Sequence, residues 1–131
     1  MSSVPFRLAL AVAASALAAA GCGNQHGSEK AQLAPGGTEQ IVTVHAHDMA
    51  FRPKTISAEP RGDVLVTVEN RGRLAHTFTT DSPAGDVVLQ PGDRHEVRLP
   101  AGAPVQFFCR FHEASGMRGS ICPGEGGCRS A

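Results

Sequence analysis

The chain has no tryptophan and no tyrosine, so the protein itself contributes little absorbance in the near ultraviolet. It has no excess of charge either: 12 Lys and Arg stand against 12 Asp and Glu. A near-neutral chain lacks the positive field that phosphate backbones select, and nucleic acid is not expected as a partner. Long apolar runs are also missing. The segment 8–20, LALAVAASALAAA, holds only thirteen small or apolar residues, well short of the roughly 20 that span a bilayer. Beyond residue 39 no stretch shows a convincing helical period, and no internal repeat is present. At 131 residues the chain has room for one domain.

The thirteen-residue run follows a short start containing Arg7 and ends at Gly21-Cys22, which suits a signal-peptide core. LAAAGC resembles a bacterial lipoprotein processing site, with Ala19 where leucine usually stands. This implies a signal peptide over 1–21 and a lipid on Cys22 that would anchor the exported chain to the envelope membrane, in the periplasm or at the cell surface; simple secretion with cleavage nearby is the alternative. Residues 23–38, GNQHGSEKAQLAPGGT, are polar and glycine-rich, and 22–38 is expected to be a flexible linker that includes His26.

From about Glu39 short alternating runs begin, broken by turn signals such as Pro60-Arg61-Gly62-Asp63, Pro91-Gly92-Asp93 and Pro100-Ala101-Gly102. IVTVHAHD (41–48) puts Val42, Val44 and Ala46 on one face and Thr43, His45 and His47 on the other. VLVTVEN (64–70), HTFTT (76–80), DVVL (86–89), HEVRL (95–99), VQFFC (105–109) and RGSIC (118–122) read as further strands. The expectation is an all-β domain over 39–122, a Greek-key sandwich of seven to eight strands, followed by a tail over 123–131.

The most informative stretch is CRFHEASGM, 109–117. It carries Cys109, His112 and Met117 within nine positions. An electron-transfer copper site takes two imidazoles, a thiolate and a weak axial thioether, so a second histidine must come from elsewhere. His76, opening a strand within ENRGRLAHTFTTD (69–81), is the best placed.

With these residues assembled, the chain resembles the cupredoxins, the type 1 blue copper proteins of the plastocyanin and azurin kind. CRFHEASGM matches the family's C-x2-H-x4-M ligand loop, which follows an aromatic-rich strand, here Phe107-Phe108. ENRGRLAH resembles the segment carrying the first histidine, and MAFRPKTI (49–56) the Phe-x-Pro entry to the second strand. The resemblance implies one type 1 copper ion held by His76, Cys109, His112 and Met117. It implies that Asn70 ties the two ligand segments together and that the Thr77 N–H points at the Cys109 sulfur. Many relatives with this loop length have proline where Phe111 stands. Phe111 keeps its N–H, so a second hydrogen bond to the thiolate is expected, one that would raise the potential.

Each of these residues also has an ordinary explanation. Cys109 suits a disulfide or a buried thiol, His112 a solvated loop position, Met117 the core. Cys122 and Cys128 flank PGEGG; if Cys22 carries lipid and Cys109 copper, they are left to pair in an oxidising compartment. A Cys109–Cys122 bond, which would abolish the site, and a soft-metal site at the tail are the alternatives. His45 and His47 share a strand face and could chelate a second metal, though a solvent-facing pair is the simpler expectation. His95 is expected to be packed. Arg71, Arg73, Arg110 and Arg118 flank the ligand segments and are either dispersed charges or a basic rim that steers an acidic partner. Phe111 beside His112 is either a docking spot or loop packing.

The function implied is a monomeric electron carrier cycling between Cu(I) and Cu(II) and serving redox protein partners. A copper-binding or delivery protein using the same ligands is the runner-up, and a metal-free envelope module comes third. Four ligands leave no open position for substrate, so an enzyme is not expected. A dinuclear electron-entry site would need a second cysteine in the ligand loop, and there is none.

Overall fold

A computed structural model of the chain describes residues 27–34, 39–83, 85–125 and 128. The expected signal peptide, Cys22 and His26 lie outside the described residues. No helix among those described is long and apolar enough to cross a membrane.

The described residues form eleven strands, the longer ones built on alternating apolar, largely β-branched residues: β1 (Ser28–Lys30), β2 (Gln32–Leu33), β3 (Gln40–His47), β4 (Ala50–Arg52), β5 (Thr55–Ala58), β6 (Asp63–Asn70), β7 (His76–Thr80), β8 (Asp86–Leu89), β9 (Arg94–Pro100), β10 (Val105–Phe108) and β11 (Arg118–Pro123). One sheet runs β1-β5-β11-β10-β7-β8; the other runs β2-β3-β6-β9, with β4 also on β3. β3 and β6 lie parallel and adjacent, although β5, between them in sequence, belongs to the opposite sheet. Such crossings between sheets make this an all-β Greek-key sandwich.

The core lies between the sheets. Val42, Val44, Ala46, Val64, Val66, Val68, Val97 and Leu99 face Ile56, Phe78, Leu89, Val105, Phe107 and Ile121, all of them buried. Branched side chains fill a pleated face well, which is why valine dominates β3 and β6. Phe51 wedges edge-on against Phe78 (5.9 Å between centroids) and Phe107 (5.3 Å), while those two rings stack at 5.0 Å. Each buried phenylalanine contributes about 1.5–3 kcal/mol, and these three close the core beside β7 and β10.

Three short strands, β1, β2 and β4, exceed the expected seven to eight, and two of them correct the linker boundary. Ser28–Leu33 is not free tether: Ser28–Lys30 pairs parallel with Thr55–Ser57, and Gln32–Leu33 pairs with Gln40–Ile41. These edge strands are exposed and held by backbone bonds, so they carry no buried alternation to read. All five residues of β7 are buried, which hides its alternation too. His95 is exposed rather than packed, at the start of the sheet's edge strand β9.

The sulfurs of Cys122 and Cys128 form a disulfide, with Cα atoms 5.1 Å apart. Among the described cysteines Cys109 is free and buried, so the Cys109–Cys122 alternative does not form.

Candidate metal centre

Two segments meet at one end of the sandwich. The first is the loop before β7. Asn70 sits buried at the end of β6 and pins that loop from within. Its Nδ2 donates to the carbonyls of Leu74 (2.8 Å) and Leu89 (3.0 Å), and its Oδ1 accepts from Gly72 N–H (2.9 Å). His76 is thereby delivered, fully buried, to the first position of β7.

The second segment is the loop 109–117, which closes on itself. Cys109 N–H donates to Met117 O (3.0 Å), and His112 N–H to Cys109 O (3.1 Å). Met117 N–H reaches His112 O (3.3 Å), and Gly116 N–H reaches Glu113 O (2.8 Å). Gly116 ends a single 3₁₀ turn, Glu113–Ser115, at φ +78°, a left-handed conformation that glycine adopts without cost. The turn sends the chain back into β11 and leaves Met117 fully buried at the foot of the loop.

Three donor atoms converge. Cys109 Sγ lies 3.5 Å from His112 Nδ1 and 3.8 Å from His76 Nδ1, and the two Nδ1 atoms are 3.2 Å apart. The circle through them has a radius of about 2.0 Å, close to the ~2.0–2.3 Å bonds that imidazole and thiolate make to a first-row metal ion. Among the described residues, no other group of three or more histidine, cysteine or carboxylate side chains is brought together in this way. Burial holds His76 below the usual imidazole pKa, and neighbouring His112 lowers it further, so its ring stays neutral and its lone pair available. His76 Nε2 is buried without a hydrogen-bond partner among the described residues. The donor set, two imidazoles and a buried thiol with a buried thioether on the same loop, fits copper.

Thr77 joins the two segments. Its N–H donates to Cys109 Sγ (3.3 Å), as the resemblance implied, and its Oγ1 accepts from Arg110 N–H (2.8 Å). The tie assigned to Asn70 is therefore made by Thr77. Among the described residues the Asn70 side chain bonds the His76 loop and β8 and makes no hydrogen bond to the 109–117 loop. Phe111 N–H makes no hydrogen bond to Sγ among those described; Thr77 is the backbone donor to the sulfur. The Phe111 ring is 53 % exposed and stands edge-on to the half-buried His112 at 6.5 Å.

The four arginines do not form a free basic rim. Arg71 pairs with Glu69 (2.9 Å), Arg73 with Asp48 (4.0 Å), Arg110 with Asp86 (3.1 Å) and Arg118 with Glu113 (3.7 Å). Each of the four has a carboxylate within reach, Glu69 being shared with Arg94 (3.2 Å), so the field they project is reduced. His45 and His47 have ring centroids 6.3 Å apart and gather no third ligand among the described residues; His45 Nδ1 lies 3.3 Å from Glu69 Oε2. Thr79 and Asp86, both in contact with the Thr77 and Arg110 network, carried no motif by which the sequence marks them.

The family of cupredoxin-like domains matches the chain over residues 9–122. This chain belongs to that family. Its cupredoxin fold is shared with solved structures at low identity. The dithionite-reduced auracyanin of the photosynthetic bacterium Roseiflexus castenholzii is 16 % identical over 65 % of this chain and 97 % of its own, at a TM-score of 0.53. Auracyanin B is 16 % identical over 70 % and 92 %, at 0.51. The metal-binding domain of the Cu(I)-exporting P-type ATPase of Streptococcus pneumoniae, solved with Cu(I), is 15 % identical over 75 % and 96 %, at 0.62. At these identities the likeness is one of fold. No curated protein matches the chain in sequence.

Proposed function

We propose that this cupredoxin is a type 1 copper protein that carries single electrons between redox partners of the cell envelope. His76 Nδ1, Cys109 Sγ and His112 Nδ1 would hold the ion, and the buried Met117 thioether would serve as a weak fourth ligand. The observation that carries this reading is the convergence of the three donor atoms at 3.2–3.8 Å from one another. Copper bound there supplies one-electron chemistry between Cu(I) and Cu(II). The rest is the work of the chain. Burial of Cys109, His76 and Met117 excludes water, and with it a position for substrate, so the protein is not read as an enzyme. The sandwich fixes His76 while the self-bonded loop fixes the other ligands, so little rearranges on electron transfer. Half-buried His112 is the ligand nearest solvent and offers the natural edge for exchange with a partner.

In this reading the chain is exported after loss of residues 1–21, is anchored through lipidated Cys22, and works as a monomer whose docking relies on the exposed Phe111–His112 edge. The second reading is copper binding and delivery. It rests on the same ligands and on the likeness to a Cu(I) exporter's metal-binding domain. The test is the visible spectrum of the Cu(II)-loaded, oxidised protein. An intense thiolate-to-copper band, absent in Cys109→Ala, is expected; a pale spectrum indifferent to that substitution would discard the type 1 site. Rapid electron exchange between oxidised and reduced protein, with no loss of copper to an external chelator, separates carrier from delivery protein.

A further inference from the structure

Immediately after the ligand Cys109, Arg110 turns its side chain back across β7 to the edge strand β8. One carboxylate oxygen, Asp86 Oδ1, takes Arg110 Nη2 (3.1 Å) and Nε (3.2 Å) together with the Thr79 hydroxyl (2.9 Å). Arg110 Nε also reaches Thr79 Oγ1 (3.3 Å), which stands 3.1 Å from Thr77 Oγ1. Thr77 Oγ1 in turn accepts Arg110 N–H, and Thr77 N–H rests on the cysteine sulfur. Thr79 lies opposite Asp86 on one side and opposite Phe108 on the other, so the network crosses three strands at the level of the site. The ligand loop makes no comparable contact at its other end. There the Arg118–Glu113 pair joins the loop only to its own exit strand, at 3.7 Å.

We propose that Asp86 and Arg110 are positioning residues for the copper thiolate: their ion pair staples the ligand loop onto β7 and β8 and keeps the Thr77 N–H on Cys109 Sγ. A hydrogen bond to the thiolate draws negative charge from the sulfur and favours the lower-charged Cu(I) state, so hydrogen bonding around that sulfur is one of the levers that set the potential. Loosening the staple therefore lowers the potential. A pair acting through charge alone behaves differently. Removing Asp86 then favours Cu(I) and raises the potential, while removing Arg110 lowers it.

The inference rests on the copper reading, and its test has two arms that fail separately. In the copper-loaded protein, Asp86→Asn and Arg110→Gln are both expected to lower the midpoint potential and shift the thiolate-to-copper band. Asp86→Glu is expected to restore part of the effect, and Glu113→Gln to leave both readouts in place. In the metal-free protein, amide exchange at Thr77 and Arg110 is expected to quicken roughly two- to fivefold in Asp86→Asn, the scale of one exposed ion pair. Shifts of opposite sign, unchanged potentials, an equal effect from Glu113→Gln, or unaltered exchange at the Thr77 amide would each overturn the staple. A chain that takes up no copper but shows the quickened exchange would overturn the copper reading and leave the staple standing.

Discussion

His76 and His112 present the same atom to the same point from different surroundings. His76 is fully buried in β7, and its loss leaves a cavity beneath a strand. His112 is half-buried on a loop that is held by its own backbone. Both alanine substitutions should abolish the visible band. In the metal-free protein, however, His76→Ala should cost about 1–3 kcal/mol and His112→Ala less than about 0.5 kcal/mol, as measured by thermal or urea unfolding. Equal costs would mean that the loop is not self-supporting. At this scale the spacing of Cys109, His112 and Met117 was legible, because all three sit on one short loop and their separation hardly depends on the rest of the fold. Thr77 and Asn70 show the limit. Both lie near His76, both are buried and polar, and which of them ties the segments depends on a register that spacing does not encode.

At the scale of elements, β10 and β11 pair so that Phe107 lies opposite Gly119, one residue before Phe108 and two before Cys109. A Cβ on Gly119 would run into the Phe107 ring and the carbonyl of Lys54. Gly119→Ala should therefore destabilise the fold by about 1–3 kcal/mol through overpacking, and it should weaken copper uptake, since the ring it displaces precedes the ligand loop. A denaturation midpoint equal to wild type would show that the ring moves aside freely. The longer strands were readable from their alternation: β3 keeps Val42, Val44 and Ala46 inward, and β9 keeps Val97 and Leu99 inward. β7 was readable as a strand but not as one buried on both faces, because its outer threonines are covered by Arg110 from another loop. β1 and β2 were not readable at all, since exposed edges paired only through the backbone need no hydrophobic pattern.

For the whole molecule, acidification should loosen the metal-free fold in a defined window. Burial holds His76 below the ordinary imidazole pKa; burial and then the Arg71 charge do the same for His45, against a smaller upward pull from Glu69. The unfolded chain takes up these protons first, near pH 6.5, while the folded chain resists them. Stability contributed by the neutral rings is thus present above that pH and is lost as pH falls through it towards the lowered folded values. The melting temperature of the metal-free protein should drop between pH 7.5 and 5.5, and His45→Gln should flatten the slope. A level profile in both proteins would mean that neither ring stays neutral. The Glu69 carboxylate, held below its usual range by its hydrogen bond from Arg71, contributes only in a more acid window. The pairing of Arg71, Arg73, Arg110 and Arg118 with carboxylates likewise belongs to this scale, because the partners of Arg73 and Arg110 lie 24 or more residues away in sequence.

What the sequence by itself determined were the properties carried by local order. Two-residue alternation specified an all-β sandwich, and the nine-residue stretch 109–117 put a thiol, an imidazole and a thioether on one short loop. What only the tertiary structure decided were the contacts between distant segments. It brought His76 to a loop more than thirty residues away, gave the tie to the Cys109 sulfur to Thr77 in place of Asn70, denied Phe111 its hydrogen bond to that sulfur, and set each of the four arginines beside a carboxylate. The reason is physical: alternation and spacing act within one segment, whereas hydrogen bonds and ion pairs depend on which segments the strand register places side by side.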